Sequence, residues 1–180
     1  MHPQLAVIAD ELAAASARAK RLIDALDEAR FHARRDATRW SPAECVAHLT
    51  LTTQAYLPLL DAALARGAMA ARVPRYRRDL PGWLLSTTLE PPVRFRMKTL
   101  AAFVPASTGS RAEVSADFAR GQAELVRRLE KASGLDLNQL KIVSPFSSRL
   151  SYNVYSAFRI LAAHERRHLW QAEQARQHTT

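Results

Sequence analysis

Four long segments of this chain carry apolar residues at helical spacing, and this periodicity constrains the fold more than any other feature. The first segment runs from about residue 4 to about residue 34. Its apolar stripe consists of Leu5, Ile8, Leu12, Ala15, Ala19, Leu22, Ile23 and Leu26. Residues three and four positions apart lie on one face of an α-helix, so the pattern predicts an amphipathic helix that buries one side.

The second segment starts with a clear capping sequence, WSPAECVAHL. Ser41 can accept from the free amides of the first turn, Pro42 suits the first helical position, and Glu44 completes a capping box. This helix is predicted to continue to about Ala65, where Gly67 ends it.

The third and fourth segments are marked in the same way. Ser110 and Glu113, in SRAE, form a second capping box, and Gly134 is a natural stop for the helix that follows it. The fourth helix is predicted to begin near Ser151 and to reach His178. Its apolar positions are Val154, Ala157, Phe158, Leu161, Leu169 and Ala172.

A stretch without helical periodicity, residues 68–109, separates the second and third helices. It holds Pro74, Pro81, Pro91, Pro92 and Pro105, five of the nine prolines. Four helices with one long crossover are typical of a four-helix bundle. The sequence therefore predicts an all-α fold with an irregular crossover between helices two and three, and its 180 residues suit one domain, 1–180.

Composition limits the cellular setting. No stretch approaches the ~20 apolar residues of a membrane span, and the start of the chain lacks the pattern of a signal peptide. The single cysteine, Cys45, suits a reducing compartment and is expected to be a buried apolar filler. We therefore expect a cytoplasmic protein. The net charge of +9 comes almost entirely from arginine, which indicates compositional bias rather than a nucleic-acid partner.

Two histidines stand four residues apart in HERRHLWQ, residues 164–171. The spacing puts His164 and His168 on one face of a helix, where both imidazoles can reach one ion at about 2.0–2.1 Å. The alternative is two hydrogen-bonded histidines on a partly exposed helix.

A third histidine, His48, lies two turns into the second helix. If helices two and four are neighbours, the three side chains can converge as three protein ligands of a metal with one open position. The alternative is a hydrogen-bonded core histidine. His2, His32 and His178 lie near predicted ends and are expected at the surface.

Two motifs resemble those of the DinB/YfiT-like superfamily. WSPAECVAHL, residues 40–49, is similar to the family's helix-two motif, and FRILAAHERRHLWQAEQ, residues 158–174, is similar to its final histidine pair. The segments 91–105 and 140–146 resemble its connecting segments. The resemblance implies a four-helix bundle of up-down-down-up type, often dimeric. It also implies a divalent metal, zinc or nickel, held by His48, His164 and His168.

The resemblance further suggests a reaction, because relatives include transferases and isomerases that use bacillithiol, mycothiol or glutathione. The leading hypothesis is that a small thiol binds the metal as a thiolate and attacks an electrophilic substrate. Arg94, Arg96 and Lys98 are candidates to hold an anionic group of either molecule, although a solvated charge run gives the same pattern. Glu44 or Glu165 could orient an imidazole or carry a proton. The alternatives are the capping box for Glu44 and a surface salt bridge for Glu165.

Two other functions remain open at this point. One is metal-dependent hydrolysis, for which Glu44 is the best candidate base. The other is a non-enzymatic metal- or nucleic-acid-binding module, since residues 72–83 interleave arginines with Tyr76 and Trp83. A lid over the metal site explains the same aromatics. Trp40 and Trp170 are expected to pack around the site, and the candidate pocket-lining tyrosines are Tyr56, Tyr152 and Tyr155.

Overall fold

A computed structural model describes residues 1–70, 75–92 and 99–176. The described residues form six α-helices, one 3-10 turn and two strands, so the chain is mostly helical. The helices are α1 (Pro3–Asp24), α2 (Glu28–His32), α3 (Pro42–Ala65), α4 (Leu80–Leu89), α5 (Arg111–Ala132) and α6 (Val154–Arg176). The 3-10 turn is Ala101–Phe103, and the strands are β1 (Lys141–Ser144) and β2 (Ser147–Asn153).

Both predicted capping boxes are confirmed. At the start of α3, the Ser41 hydroxyl accepts from the Glu44 amide at 3.2 Å, and the Glu44 carboxylate accepts from the Ser41 amide at 2.8 Å. Ser110 and Glu113 make the same reciprocal pair at the start of α5. Gly134 follows α5 with a φ of 99°, a left-handed conformation that favours glycine and stops the helix.

The first predicted helix, 4–34, is wrong as a single element, because the structure divides it into α1 and α2. The helix stops at Asp24, and Asp27 then caps α2 by accepting from a backbone amide of its first turn at 2.8 Å. The apolar pattern bridges the break because Leu26 and Phe31 are both buried on the core side.

The prediction of an all-α fold also needs correction. Residues 141–153 form an antiparallel hairpin in which Ile142 lies opposite Tyr152. Its first strand alternates exposed and buried residues, the period of a half-buried strand, but over only four residues. The fourth helix consequently starts at Val154, not at Ser151.

The crossover is not irregular throughout. It contains α4, whose first turn is capped by Asp79 through the Gly82 amide, and the 3-10 turn that ends at Phe103. The crossover therefore supplies a packed layer, since α4 lies against α6.

The four long helices, α1, α3, α5 and α6, pack so that each contacts two of the others. Each of α1 and α3 contacts both α5 and α6, and two apolar clusters fill the space between them. The contact between α3 and α6 brings together the two helices that carry the candidate metal ligands. Within the described ranges, no helix combines the length and the apolar character that a membrane crossing needs.

Candidate metal centre

The three predicted ligands converge between α3 and α6. His48, His164 and His168 are 2%, 7% and 7% exposed, and one ring nitrogen from each lies within 4.8 Å of the others. Their ring centroids are separated by 4.4 to 5.0 Å. Three imidazoles thus share one small volume in the protein interior.

The orientation of His48 is fixed by the crossover. Its Nδ1 lies 2.7 Å from the carbonyl oxygen of Phe103. A carbonyl can only accept, so Nδ1 carries the proton and Nε2 of the neutral ring keeps its lone pair. Such a backbone contact to the second ring nitrogen is the usual support of a metal-binding histidine.

The spacing of the ring nitrogens fits a metal ion. Two ligands at 2.0–2.1 Å from a tetrahedral ion lie about 3.3 Å apart, and Nε2 of His48 lies 3.2 Å from Nε2 of His164. Among the described residues, Nδ1 of His168 is buried without a hydrogen-bond partner. A buried nitrogen without a partner is rare, and coordination would satisfy it. Imidazole donors suit several divalent metals, zinc and nickel among them.

The three imidazoles are expected to be neutral at neutral pH. Burial lowers the pKa of each ring below its usual value, and the pKa values of His164 and His168 fall furthest. For those two rings, the charges of neighbouring imidazoles and of Arg167 lower the pKa further. The bond to Phe103 opposes the effect at His48. Neutral rings keep the lone pairs that metal coordination requires.

The histidines form part of the wall of a cleft of about 1080 Å³, a volume that accommodates a small-molecule ligand. Trp40 lies at its edge, with ring centroids 4.9 Å from His48 and 5.9 Å from His168. Trp170 lines the same cleft. Both tryptophans therefore pack around the site as predicted.

Cys45 also lines the cleft, but it is buried in an apolar cluster. Burial raises the pKa of its thiol to about 12, so the thiolate is not available near neutral pH. The prediction of a buried filler is confirmed.

The candidate proton carriers lie elsewhere. Both oxygens of Glu44 are engaged, by the Ser41 amide and by the guanidinium of Arg34. Burial acts to raise the pKa of Glu44, but the bonds from Arg34 and Ser41 outweigh it and hold the pKa below its usual value. The catalytic role of Glu44 stays a prediction, while its capping role is present.

Glu165 is not a surface residue, so its predicted surface salt bridge is wrong. It is 2% exposed and accepts a hydrogen bond of 2.6 Å from the Gln122 amide on α5. Neither Glu165 nor Glu44 is among the residues that line the cleft. Burial raises the pKa of Glu165 to about 8, although the Gln122 bond and the Arg166 charge oppose it.

Several other candidates lie away from the cleft. Tyr56 and Tyr152 are buried and form a hydrogen bond between their hydroxyls. The ring of Tyr155 lies tilted against that of Tyr76, with centroids 5.5 Å apart. None of the three tyrosines lines the cleft, so the predicted tyrosine lining is wrong.

The aromatic residues of the basic segment are separated. Tyr76 is buried, and its hydroxyl donates a hydrogen bond of 3.1 Å to the Leu135 carbonyl, while Trp83 is exposed on α4. Neither lines the cleft, which removes them from the predicted lid, and a buried Tyr76 is not available to stack a base. The candidate anion holders Arg94, Arg96 and Lys98 lie outside the described residues.

Sequence reasoning missed two parts of the site. The Phe103 carbonyl has no side-chain signature and could not be found without the fold. Arg167 lines the cleft and stands inside the HERRH motif, three residues after His164, so helical spacing could have indicated it.

Fold and site together define a largely helical protein with a candidate three-histidine metal centre. The chain belongs to the DinB superfamily: the family model with that description matches residues 11–172. No curated protein matches this sequence significantly, and no solved structure does.

Proposed function

We propose that this protein is a metal-dependent enzyme that transfers a small thiol to an electrophilic substrate, or isomerises such a substrate with the help of the thiol. His48, His164 and His168 hold the metal, zinc or nickel. The observation that carries this proposal is the convergence of three buried, neutral imidazoles at the wall of a cleft with small-molecule dimensions. Membership of the DinB superfamily is consistent with it.

A divalent metal in this position would supply Lewis acidity that lowers the pKa of a bound thiol or water. The chain's own residues prepare the site for it. The Phe103 carbonyl selects the tautomer of His48, and Trp40 covers the rings of His48 and His168. Apolar side chains such as Leu85 and Phe146 line the cleft and would exclude water from a bound electrophile.

Thiol transfer is favoured over hydrolysis by the placement of the carboxylates. A metal can activate a bound water as well as a thiol, but hydrolysis gains more from a nearby general base, because water is the weaker acid. Among the described residues that line the cleft there is no Asp or Glu, and both oxygens of Glu44 are already bonded. A thiol is acidic enough to lose its proton on coordination, so its attack needs no carboxylate base.

The helix topology, the oligomeric state and the cellular location are also part of the proposal. The contacts of α1 and α3 with both α5 and α6 support a four-helix bundle, for which we propose up-down-down-up topology. We also propose that the protein is a cytoplasmic homodimer and one domain, as the family resemblance and composition suggest.

Metal content tests the first half of the proposal. Protein purified without an affinity tag should contain about one zinc or nickel per chain by elemental mass spectrometry, and His164→Ala should lose it. His32→Ala is the matched control, because His32 bonds to Glu28 and Thr108 away from the site. No metal in the wild type, even after reloading, would refute the metal centre.

A screen of low-molecular-weight thiols with several electrophiles tests the second half. Metal-dependent loss of the electrophile should require added thiol. Metal-loaded protein that converts a substrate without thiol would indicate the hydrolase instead, and loaded protein that is inactive with every thiol would contradict the transferase.

A further inference from the structure

The walls of the cleft are strongly cationic. Besides the three histidines, the described lining residues include three arginines and no carboxylate. The arginines are Arg35, Arg39 and Arg167. Low-dielectric walls that carry charges of one sign concentrate ligands of the opposite sign.

Arg167 lies deepest of the three. It is 4% exposed, stands directly before His168 on α6, and places Nη1 3.5 Å from the Thr88 carbonyl of α4. A guanidinium at this depth next to two ligand histidines brings a fixed positive charge to the inner part of the cleft.

Arg35 and Arg39 stand at the mouth, on the loop between α2 and α3. Both are exposed, and none of the carboxylates in the described part of the chain lies within 4.0 Å of either guanidinium. Asp36, which lies between them in sequence, accepts hydrogen bonds from the Thr38 amide at 2.8 Å and from the Thr38 hydroxyl at 2.6 Å. These bonds are the main cause of its lowered pKa, and the charges of Arg39 and Arg35 lower that pKa further. The same loop ends at Trp40, which contacts the histidine rings.

The other described residues that line the cleft are mostly apolar, although Thr99, Ser144 and Gln171 are among the polar ones. The apolar side chains come from α4, from the hairpin, from the loop around the 3-10 turn and from α6. These side chains are Leu85, Leu89, Phe146, Leu150, Leu100, Val104 and Ile160. A ligand that fills this cleft therefore needs an apolar body as well as a group that complements the positive charge of the arginines.

We propose that the cleft selects small amphiphilic anions, molecules with an apolar body and one carboxylate, phosphate or sulfonate group. Arg35 and Arg39 bind the anionic group at the mouth, Arg167 adds positive charge further in, and the body lies against the apolar walls beside the histidines. This inference rests on the proposed function to the extent that the anion is the substrate or thiol of the metal centre. A nucleic acid fits less well, because an enclosed arginine and apolar walls do not follow an extended backbone.

The test compares two probes of the same shape, 3-phenylpropanoate and 3-phenylpropan-1-ol, titrated calorimetrically into metal-free protein. Removal of metal excludes direct coordination of the carboxylate. Charge-assisted hydrogen bonds predict that the acid binds about tenfold tighter or more, and that added salt reduces this preference. The variant with both Arg35→Gln and Arg39→Gln should lose most of it.

Two further variants make the result specific. Arg21→Gln is the matched control, since Arg21 is exposed on α1 and does not line the cleft. It should keep the full preference. Arg167→Gln should reduce the preference, and circular dichroism establishes whether this buried substitution still folds. If it does not fold, the double variant at the mouth decides.

Equal affinities for acid and alcohol, a preference that survives the double variant, or no binding of the acid up to about 10 mM would each overturn the proposal. So would a single-stranded oligonucleotide that displaces the acid and no longer binds the double variant. Failure of the proposed function gives a different result. If the wild type cannot be loaded with metal but still prefers the acid to the alcohol, the anion site stands and the metal centre is refuted. If the protein binds metal but shows no preference for the acid, the metal centre stands and the anion site is refuted.

Discussion

The clearest quantitative prediction concerns Glu165, whose carboxyl group is enclosed between α5 and α6. Its Oε2 and the Oε1 of Gln122 are both buried acceptors without a donor among the described residues. A proton on Glu165 supplies a donor in that place, in agreement with its pKa of about 8. Glu165→Gln replaces this protonated acid by a neutral amide of the same shape, which carries its own donors.

The sign and size follow from linkage. Below pH 4.5 the Glu165 carboxyl group holds its proton in both the folded and the unfolded state, and this group costs no stability. As the pH rises from about 4.5 to about 8, only the unfolded state releases the proton, so the wild type loses up to about 1.4 kcal/mol of stability per pH unit. The upper limit at pH 7 is about 3 kcal/mol. Relaxation around the carboxylate reduces it, and we expect Glu165→Gln to be about 1–3 kcal/mol more stable there.

The assay is urea denaturation of wild type and Glu165→Gln between pH 5 and 8.5, with chelator present so that metal does not add to stability. The three buried histidines have lowered pKa values, so their contribution to stability rises with pH, opposite to that of Glu165. This contribution is the same in both proteins, and subtracting one stability curve from the other removes it. The difference should be small at pH 5 and should grow with pH. Glu113→Gln should give a flat difference over this range, because bonds from Ser110 hold the pKa of Glu113 below 4.5. A flat difference for Glu165→Gln, or a variant less stable than wild type at pH 8, would refute the buried neutral acid.

Two stability predictions follow from backbone geometry. Ser41→Ala removes the acceptor for the Glu44 amide and should lower the free energy of unfolding by about 1 kcal/mol in urea; an unchanged value would mean that the cap contributes nothing. Gly82→Ala should lower the melting temperature, although alanine is favoured in a free helix by about 1 kcal/mol, because its Cβ would lie 2.2 Å from Ser156. A higher melting temperature would contradict this close approach of α4 to α6.

The long helices could be predicted because their signals are local. Capping boxes at Ser41 and Ser110 and the glycine after α5 act within a few residues, so the sequence states them directly. The break between α1 and α2 could not be found in the same way. The apolar stripe continues through it, and although Asp is favoured at a cap, a single Asp also occurs on exposed helix faces and so does not mark a break by itself.

The hairpin was missed for a related reason. The alternation in β1 covers only four residues, and β2 contains Ser147, Ser148 and Ser151, which carry little strand preference. Its stability comes from tertiary contacts, among them the burial of Ile142 and Tyr152 in the main core. Such contacts exist only once α3 and α6 are in place.

The candidate site divides along the same line. The three histidines were visible from spacing and from resemblance, while their partners come from distant parts of the chain. Phe103 is 55 residues from His48 and contributes a backbone atom, which no side-chain pattern reports. The Arg35 and Arg39 pair lies on the loop between α2 and α3, whose position against the cleft no local pattern reports.

The run HERRH shows why a metal motif alone is an incomplete description of α6. Successive residues of a helix point about 100° apart, so the five side chains meet different neighbours. His164 and His168 face His48, while Glu165 bonds to Gln122 on α5. Arg166 binds Glu90 at 2.9 Å and Glu11 at 2.7 Å, and Arg167 reaches α4 and the cleft. The helix α6 packs against α1, α3 and α4, and the Gln122 side chain reaches it from α5. Each polar residue in this run therefore meets a different neighbour. Substitutions there should therefore separate into loss of metal at the histidines, loss of anion preference at Arg167, and a changed pH dependence of stability at Glu165.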